Sequence, residues 1–440
     1  MAGYHLFSTG EVLSAANVND YLMKQTTMIF ASASARTTAL SGVLREGMVS
    51  YRLDSHVFEV YNGTAWVASE TNLTTKGDLA VYSTAPDRLA VGTDGQTLVA
   101  NSANASGLGW TSGNPIPNPV INSCMDIWQR GTSMAGSATQ FCADRWQAYR
   151  AVAGSTYSRQ ATADTTNLPN IQYCVRMSRD SGNTATNNIV LLTNFESANS
   201  IPFAGKQVTM SFYARKGANF SAASSLLNVE FDSGTGTDQN IISGYTGGLN
   251  MTASSTATLT TAWQRFSYTV TPAATTTQLG ISLYWTPVGT AGAADYAEVT
   301  GVQVDVGPLA LPIRRTGTTL QGELSACMRY GQELNLDSNY YGNFGCAGAF
   351  NTTTIYAQRV LPVPMRVAAS SATFGAVGNF RLSSGATNIV VTSISLDTGA
   401  TSQTNASFTV GVASGLTSNN YYLFQGNSST SGKIFLNAEL

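Results

Sequence analysis

Alternation with period two is the feature that most narrows what this chain can fold into. From Val208 to Arg215, Val208, Met210, Phe212 and Ala214 alternate with Thr209, Ser211, Tyr213 and Arg215. Ile281, Leu283 and Trp285 alternate with Ser282 and Tyr284, and Val302, Val304 and Val306 with Gln303 and Asp305. Successive strand side chains point to opposite faces, so the pattern reads as half-buried strands. Loops of Gly, Thr, Ser and Asn separate them. The chain is therefore expected to be mainly β, built from antiparallel sandwiches with wet outer faces. Its 440 residues exceed one ordinary core.

Charge narrows the partners. Only 11% of residues are charged and the net charge is −2, so no broad basic footprint for nucleic acid exists. A low charge density limits solubility, and burial between subunits would relieve that, which fits an oligomer. No run of eighteen apolar residues is present, so no membrane insertion is expected. Met1 to His5 carries neither a basic region nor an apolar core, and no signal peptide is expected. The five cysteines (Cys124, Cys142, Cys174, Cys327, Cys346) lack zinc-site spacing and read as reduced, mostly buried thiols. A Cys124–Cys142 bridge stays open as an alternative.

Four regions follow in order. Residues 1–70 read as a small attachment unit. Ser14 caps a short helix running to Gln25, with Ala15, Val18 and Leu22 on one face. Asn62-Gly63 sits between apolar runs as a hairpin turn. Residues 71–117 hold short strands with too few large apolar side chains for a core of their own. They end in a proline-rich spacer, Gly113 to Pro119. Residues 118–316 form the central sandwich, with polar loops near 161–170 and 233–250 that can carry recognition. Residues 317–440 open with a helix on which Leu320, Leu324, Cys327 and Met328 share a face and Thr318 with Gln321 fits a capping box. A second sandwich is expected after it, with strands at 355–360, 388–396, 407–412, 421–425 and 433–440.

Several motifs carry a resemblance. Asn118-Pro119-Val120-Ile121-Asn122, Asp126-Ile127-Trp128-Gln129-Arg130-Gly131, Ala143-Asp144-Arg145-Trp146, Thr261 to Phe266 and Val302 to Gly307 recur in the order found in a module of bacteriophage tail fibres. That module is similar to the jelly-roll sandwiches of carbohydrate-binding modules. Gly10 to Asn19 and the Tyr61 to Val67 hairpin resemble the N-terminal part of phage tail proteins, which joins fibre to tail. Thr74 to Tyr82, Asp87 to Ala100 and Gly107 to Trp110 resemble a collar in which three chains intertwine. The resemblance implies a homotrimeric, receptor-binding virion protein. It would dock on phage tail or baseplate proteins through residues 1–70 and bind a host surface polysaccharide.

Catalytic chemistry finds little support. The only histidines, His5 and His56, lie in the attachment unit, so neither sandwich can hold a Ser-His-Asp or Cys-His site. No Walker, HExxH or Rossmann pattern occurs, and no catalytic residue is expected. Glu230 and Asp232 share a strand face, and with Asp295, Glu298 and Asp305 they leave a depolymerase as an alternative. Asp295 and Glu298 are also the candidates for Ca²⁺, the one cofactor considered. Sugar binding needs exposed aromatic faces beside planar polar groups. Tyr340, Tyr341, Asn343 and Phe344 supply both, and Tyr245, Trp285 and Tyr296 are candidates in the central sandwich. Arg314-Arg315 can pair with an anionic polymer or simply line a domain edge. A third reading is a purely structural tail or baseplate component.

Overall fold

The computed structural model describes residues 8–19, 26–68, 73–84, 86–93, 96–112, 116–136, 139–149, 153–253, 255–335, 339–385 and 387–440. The chain divides into two compact units, 1–113 and 114–440. It is mainly β, as the alternation predicts. Among the described residues no helix is long and apolar enough to cross a membrane.

In the first unit Ser14 accepts a hydrogen bond from the Asn17 amide and starts a turn of helix, Ala15–Asn17. The rest of the expected helix, 20–25, lies outside the described residues, as does His5. A four-stranded sheet follows, ordered Met28–Phe30, Val49–Arg52, Val57–Tyr61, Trp66–Ala68. Its first pair is parallel, joined through the helix Ala33–Ala39. Neither is legible in the sequence: the Met-Ile-Phe strand is three residues long, too short to show alternation, and the Ala33–Ala39 helix has no large apolar stripe. The helix instead buries Arg36, which pairs with Glu59 and lies 4.1 Å over the Trp66 ring. The Asn62-Gly63 turn forms as expected. Asn62 Oδ1 accepts from the amides of Thr64 and Ala65, and Gly63 takes φ of 91°. Two separate hairpins complete the unit, Leu79–Tyr82 with Pro86–Leu89 and Gln96–Ala100 with Leu108–Ser112. Of their described residues only Gly109 and Thr111 are buried.

The second unit contains the sandwich. One sheet runs Gln140–Phe141, Gln147–Tyr149, Ile189–Asn194, Gln278–Trp285, Leu226–Gly234, with Leu249–Asn250 and Ser255–Thr258 both paired to the last of these. The other runs Gln264–Val270, Val208–Lys216, Tyr296–Val306, Tyr173–Arg179, Ser155–Ala161, Ser133–Gly136. The pairs in both sheets are antiparallel. Between the sheets lie Trp146, Phe212, Phe231, Ile281, Leu283, Trp285, Val302 and Val304, all essentially inaccessible. Burying each large side chain contributes about 2–3 kcal/mol.

The family-like motifs turn out to be scaffolding. Asn118 is fully buried. Its Nδ2 donates to the carbonyls of Val302 and Arg314, and its Oδ1 accepts from the amides of Val120 and Val304. The opening segment of the sandwich is thereby sewn to its last strand. Pro119 is buried too, so the expected spacer ends before it, and 113–115 lie outside the described residues. Asp144 accepts from Gln129, and Arg145 pairs with Glu439.

After the sandwich, the helix Leu320–Met328 is capped by Thr319, not Thr318. Thr318 sits at φ of 58°, outside cap geometry. The buried face also differs. Leu320 is exposed, whereas Glu323 is buried because its carboxylate accepts from the amides of Gly317 and Asn122. The distal strands come close to the expected positions: Thr354–Val360, Asn388–Leu396, Asn405–Val412, Tyr421–Gly426 and Ile434–Asn437. Rather than two open layers, four of them join Asn343–Ala349 and Phe380–Ser383 in a closed six-stranded barrel ordered Asn343–Ala349, Thr354–Val360, Asn405–Val412, Asn388–Leu396, Phe380–Ser383, Tyr421–Gly426. Phe344, Phe380, Phe408 and Phe424 fill it, with ring centroids 5.3–6.1 Å apart. Closure removes edge strands, which an open layer would leave unpaired. A three-stranded sheet, Gly331–Leu334, Ile434–Asn437, Ser371–Phe374, sits beside the barrel in sequence and topology. Ile434, Leu436 and Ala438 are buried. Ion pairs Arg329–Glu196, Arg130–Glu439 and Arg366–Asp238 tie the barrel region to the sandwich.

Candidate functional site

The outer face of the seven-stranded sheet carries a groove of about 360 Å³, lined by Tyr149, Asn188, Val190, Leu192, Glu230, Asp232, Ile241, Ile242, Ser282 and Tyr284. Strand alternation builds it. Leu191, Leu283 and Val229 point into the core, so their neighbours point outward. Register then aligns three rows across the strands. Tyr149, Val190, Tyr284 and Asn228 form the first, Gln147, Leu192, Ser282 and Glu230 the second, and Asn194, Gly280 and Asp232 the third.

The 235–246 segment forms one rim. Gly280 leaves room for Tyr245, whose hydroxyl donates to Asn194 Oδ1 at 2.8 Å and to the Leu279 carbonyl at 3.1 Å. Gln239 holds Thr246 from the other side, and Asn194 Oδ1 also accepts from the Ile241 amide. Ile241 and Ile242 thus line the groove together with the acids.

The groove's electrostatics are unusual for this molecule. Burial, then the charge of Glu230, pushes the Asp232 carboxyl up to about 7. Burial raises Glu230 too, and a hydrogen bond from Tyr284 opposes that. The Tyr245 hydroxyl is pushed far up by burial and by Asp232. Asp232 Oδ2 is buried without a hydrogen-bond partner. An uncompensated buried oxygen costs about 1–3 kcal/mol, which a bound donor would recover.

The sequence-predicted residues scatter. Trp285 is fully buried and packs on Phe220 at 4.7 Å, so it is core and cannot face a receptor. Phe344 is likewise core of the barrel. Tyr245 holds the groove rim through its hydroxyl. Tyr296 is half-buried on the opposite sheet beneath Arg176, 3.9 Å from its ring. Tyr340 and Tyr341 are 58% and 49% exposed, Tyr341 lies under Arg381 at 4.6 Å, and Asn343 caps the Gly345 amide. They form an exposed patch away from any groove described above, and 337–338 of that stretch lie outside the described residues.

The Ca²⁺ candidates are corrected. Asp295 is wholly buried against Arg179 at 2.9 Å and accepts from Ser221. Glu298 is wholly buried between Arg176 and Arg215. Both carboxylates already carry cationic partners, and no cluster of three or more metal-ligating side chains occurs among the described residues. Asp305 pairs with Arg314, and Asp126 with Arg315, so these arginines are neutralised rather than open to an anionic polymer. No disulfide joins Cys124 to Cys142; both are free and buried.

Of the groove residues, Glu230 and Asp232 are legible in sequence as a same-face pair, and the 233–250 loop as a recognition loop. Tyr284 was readable as well. The alternation that sends Trp285 inward sends Tyr284 outward. Tyr149 and Asn188 carried no such signal, since they belong to short strands and loops.

Comparison with known proteins adds limited information. No family model matches the chain, and no curated protein does. Among solved structures it is similar to a xylan-binding domain from Paenibacillus barcinonensis, 16% identical, covering 37% of this chain and 92% of that one at a TM-score of 0.25. A putative sugar-binding protein from Bacteroides thetaiotaomicron is 10% identical over 43% of this chain and 100% of its own, TM-score 0.26. The enzymatically active domain of a tailspike protein of bacteriophage CBA120 is 7% identical over 43% of this chain and 21% of its own, TM-score 0.25. Scores this low carry no argument about what the chain binds.

Proposed function

We propose that this chain is a receptor-binding fibre protein of a phage tail, located in the virion, that holds a host surface polysaccharide in the groove above the seven-stranded sheet. The observation that carries the reading is the groove itself. Two tyrosines, Tyr149 and Tyr284, flank Val190 in one row, roughly 10 Å apart at two strand spacings. That is about the span of a disaccharide, so each ring can stack on a sugar face while Glu230, Asp232 and Asn188 take hydroxyl hydrogen bonds. The ordered tail-fibre motifs support the virion role, with residues 1–70 docking on the tail or baseplate. Hairpins that bury almost nothing by themselves fit a collar completed by two further copies. Three grooves in a homotrimer would multiply weak affinities without new contacts.

Binding without cleavage is part of the proposal. Glu230 and Asp232 project from one strand and meet a glycan from one side, whereas hydrolysis uses carboxyl groups that flank the scissile bond. The test is labelled full-length chain incubated with host cells, following both cell-bound protein and released saccharide. Saturable binding without released sugar is expected. A Tyr149→Ala/Tyr284→Ala chain should bind about thirtyfold more weakly, from roughly 1 kcal/mol for each of the two rings. Released saccharide would make the protein a depolymerase, and binding to virions but not to cells would make it a tail component only.

A further inference from the structure

The sandwich neutralises its buried acids with arginines. Asp295 has Arg179, Glu298 has Arg176 and Arg215, Asp305 has Arg314, Asp126 has Arg315, and Glu196 has Arg329. Glu230 and Asp232 stand apart from that rule. Neither has a cationic partner among the described residues, and the described residues that line the groove include no Lys, Arg or His. They share one strand face with one residue between them, so their backbones are roughly 7 Å apart. A small cation between them would reach both carboxylates at hydrogen-bond distance. Ser282, directly across from Glu230, adds an acceptor.

We infer that the groove selects a polysaccharide bearing free amino groups, with one ammonium seated between Glu230 and Asp232 and the sugar faces on Tyr149 and Tyr284. The inference rests on the glycan-binding reading above and names the class of glycan. Three properties of an ammonium match the site. It supplies three donors, one of them for the buried unpartnered Asp232 Oδ2. Its charge lets Asp232 ionise beside Glu230, which burial and the like charge otherwise oppose. A polymer of uronic or sialic type would add a third negative charge and be rejected. Among the described residues, the other titratable groups facing Asp232 are Glu230 on its own strand, Tyr284 on the neighbouring strand and Tyr245 on the rim. Arg145 acts on Tyr245 only from a distance and is itself held by Glu439. None of them supplies a cation at the pair. Seating an ammonium would therefore drive Asp232 into its ionised form and expel a proton.

The test is calorimetry on the full chain near pH 6, where the amine is charged. Glucosamine oligomers are compared with their N-acetylated counterparts, in two buffers of different ionisation enthalpy. The free-amine oligomer is expected to bind at least about tenfold tighter and to release protons, and Asp232→Asn should abolish both the preference and the release. Equal or tighter binding of the acetylated oligomer would overturn the amine selection while leaving glycan binding intact. A preference that survives in Asp232→Asn would mean general attraction of a polycation and would also overturn it. If neither oligomer nor purified host polysaccharide binds, the glycan reading itself falls.

Discussion

Asp295→Asn offers a severe test of the buried charge arrangement. Arg179 and Asp295 are both wholly buried, with Nε and Oδ2 2.9 Å apart. At an effective dielectric near 20, a contact this close is worth about 6 kcal/mol before desolvation is counted. The variant keeps the shape but leaves the guanidinium without a counter-charge, and an amide nitrogen then faces the Ser221 amide that Asp295 now serves. Arg179 retains other acceptors, the carbonyls of Ala185, Gly289 and Val288. The net loss should therefore lie near the lower end of the range for broken buried pairs, about 3 kcal/mol. Urea unfolding followed by tryptophan fluorescence reads it as a midpoint lowered by about 1 M, for a slope near 3 kcal/mol/M. A cycle with Arg179→Met should give a coupling energy of about 2–3 kcal/mol. A loss below about 1 kcal/mol would refute the reasoning. So would a wild-type midpoint that rises with added Ca²⁺, because Asp295 would then serve a metal instead of Arg179.

Other outcomes follow from burial and titration. Phe344→Ala should cost about 3–5 kcal/mol by emptying the barrel core, while Tyr340→Ala should stay within about 0.5 kcal/mol, both read by urea unfolding. Asp232 has a folded pKa raised from its ordinary 3.8 to about 7, so the folded state holds its proton more tightly than the unfolded chain. Its contribution to stability is complete below about pH 4 and is lost as the pH rises through about 7. Asp232→Asn should flatten the fall in urea midpoint across that window, and an unchanged pH profile would contradict the burial of this carboxyl. Burial pushes the Cys124 thiol up to about 11 and that of Cys142 to about 12, and raises Cys174 and Cys327 as well, whereas Cys346 is exposed. A thiol reagent at mild alkaline pH should thus find one fast cysteine in the native chain and all five after unfolding.

Strand position, and the face each residue takes, are local properties, and the sequence alone determined them here. Alternation placed strands at 208–215, 281–285 and 302–306, which the structure extends to Val208–Lys216, Gln278–Trp285 and Tyr296–Val306, and it all but placed the distal strands. It also put Glu230 beside Asp232 and sent Tyr284 to the side opposite Trp285. Choosing Trp285 as a ligand face set residue type above the alternation, and the alternation was right. Turn chemistry at Asn62-Gly63 and the Ser14 cap were legible because one side chain and its own backbone settle each. What only the tertiary structure decided depends on partners distant in sequence. Whether Asp295 is a metal ligand or the mate of Arg179 turns on a contact across more than a hundred residues. Whether the distal strands lie open or close into a barrel depends on register between Asn343–Ala349 and Tyr421–Gly426. The groove exists because register lines up Tyr149, Tyr284 and the two acids on neighbouring strands, while Gly280 admits Tyr245 to hold the rim. Periodicity tells a side chain which way to point; only strand pairing tells it what it will face.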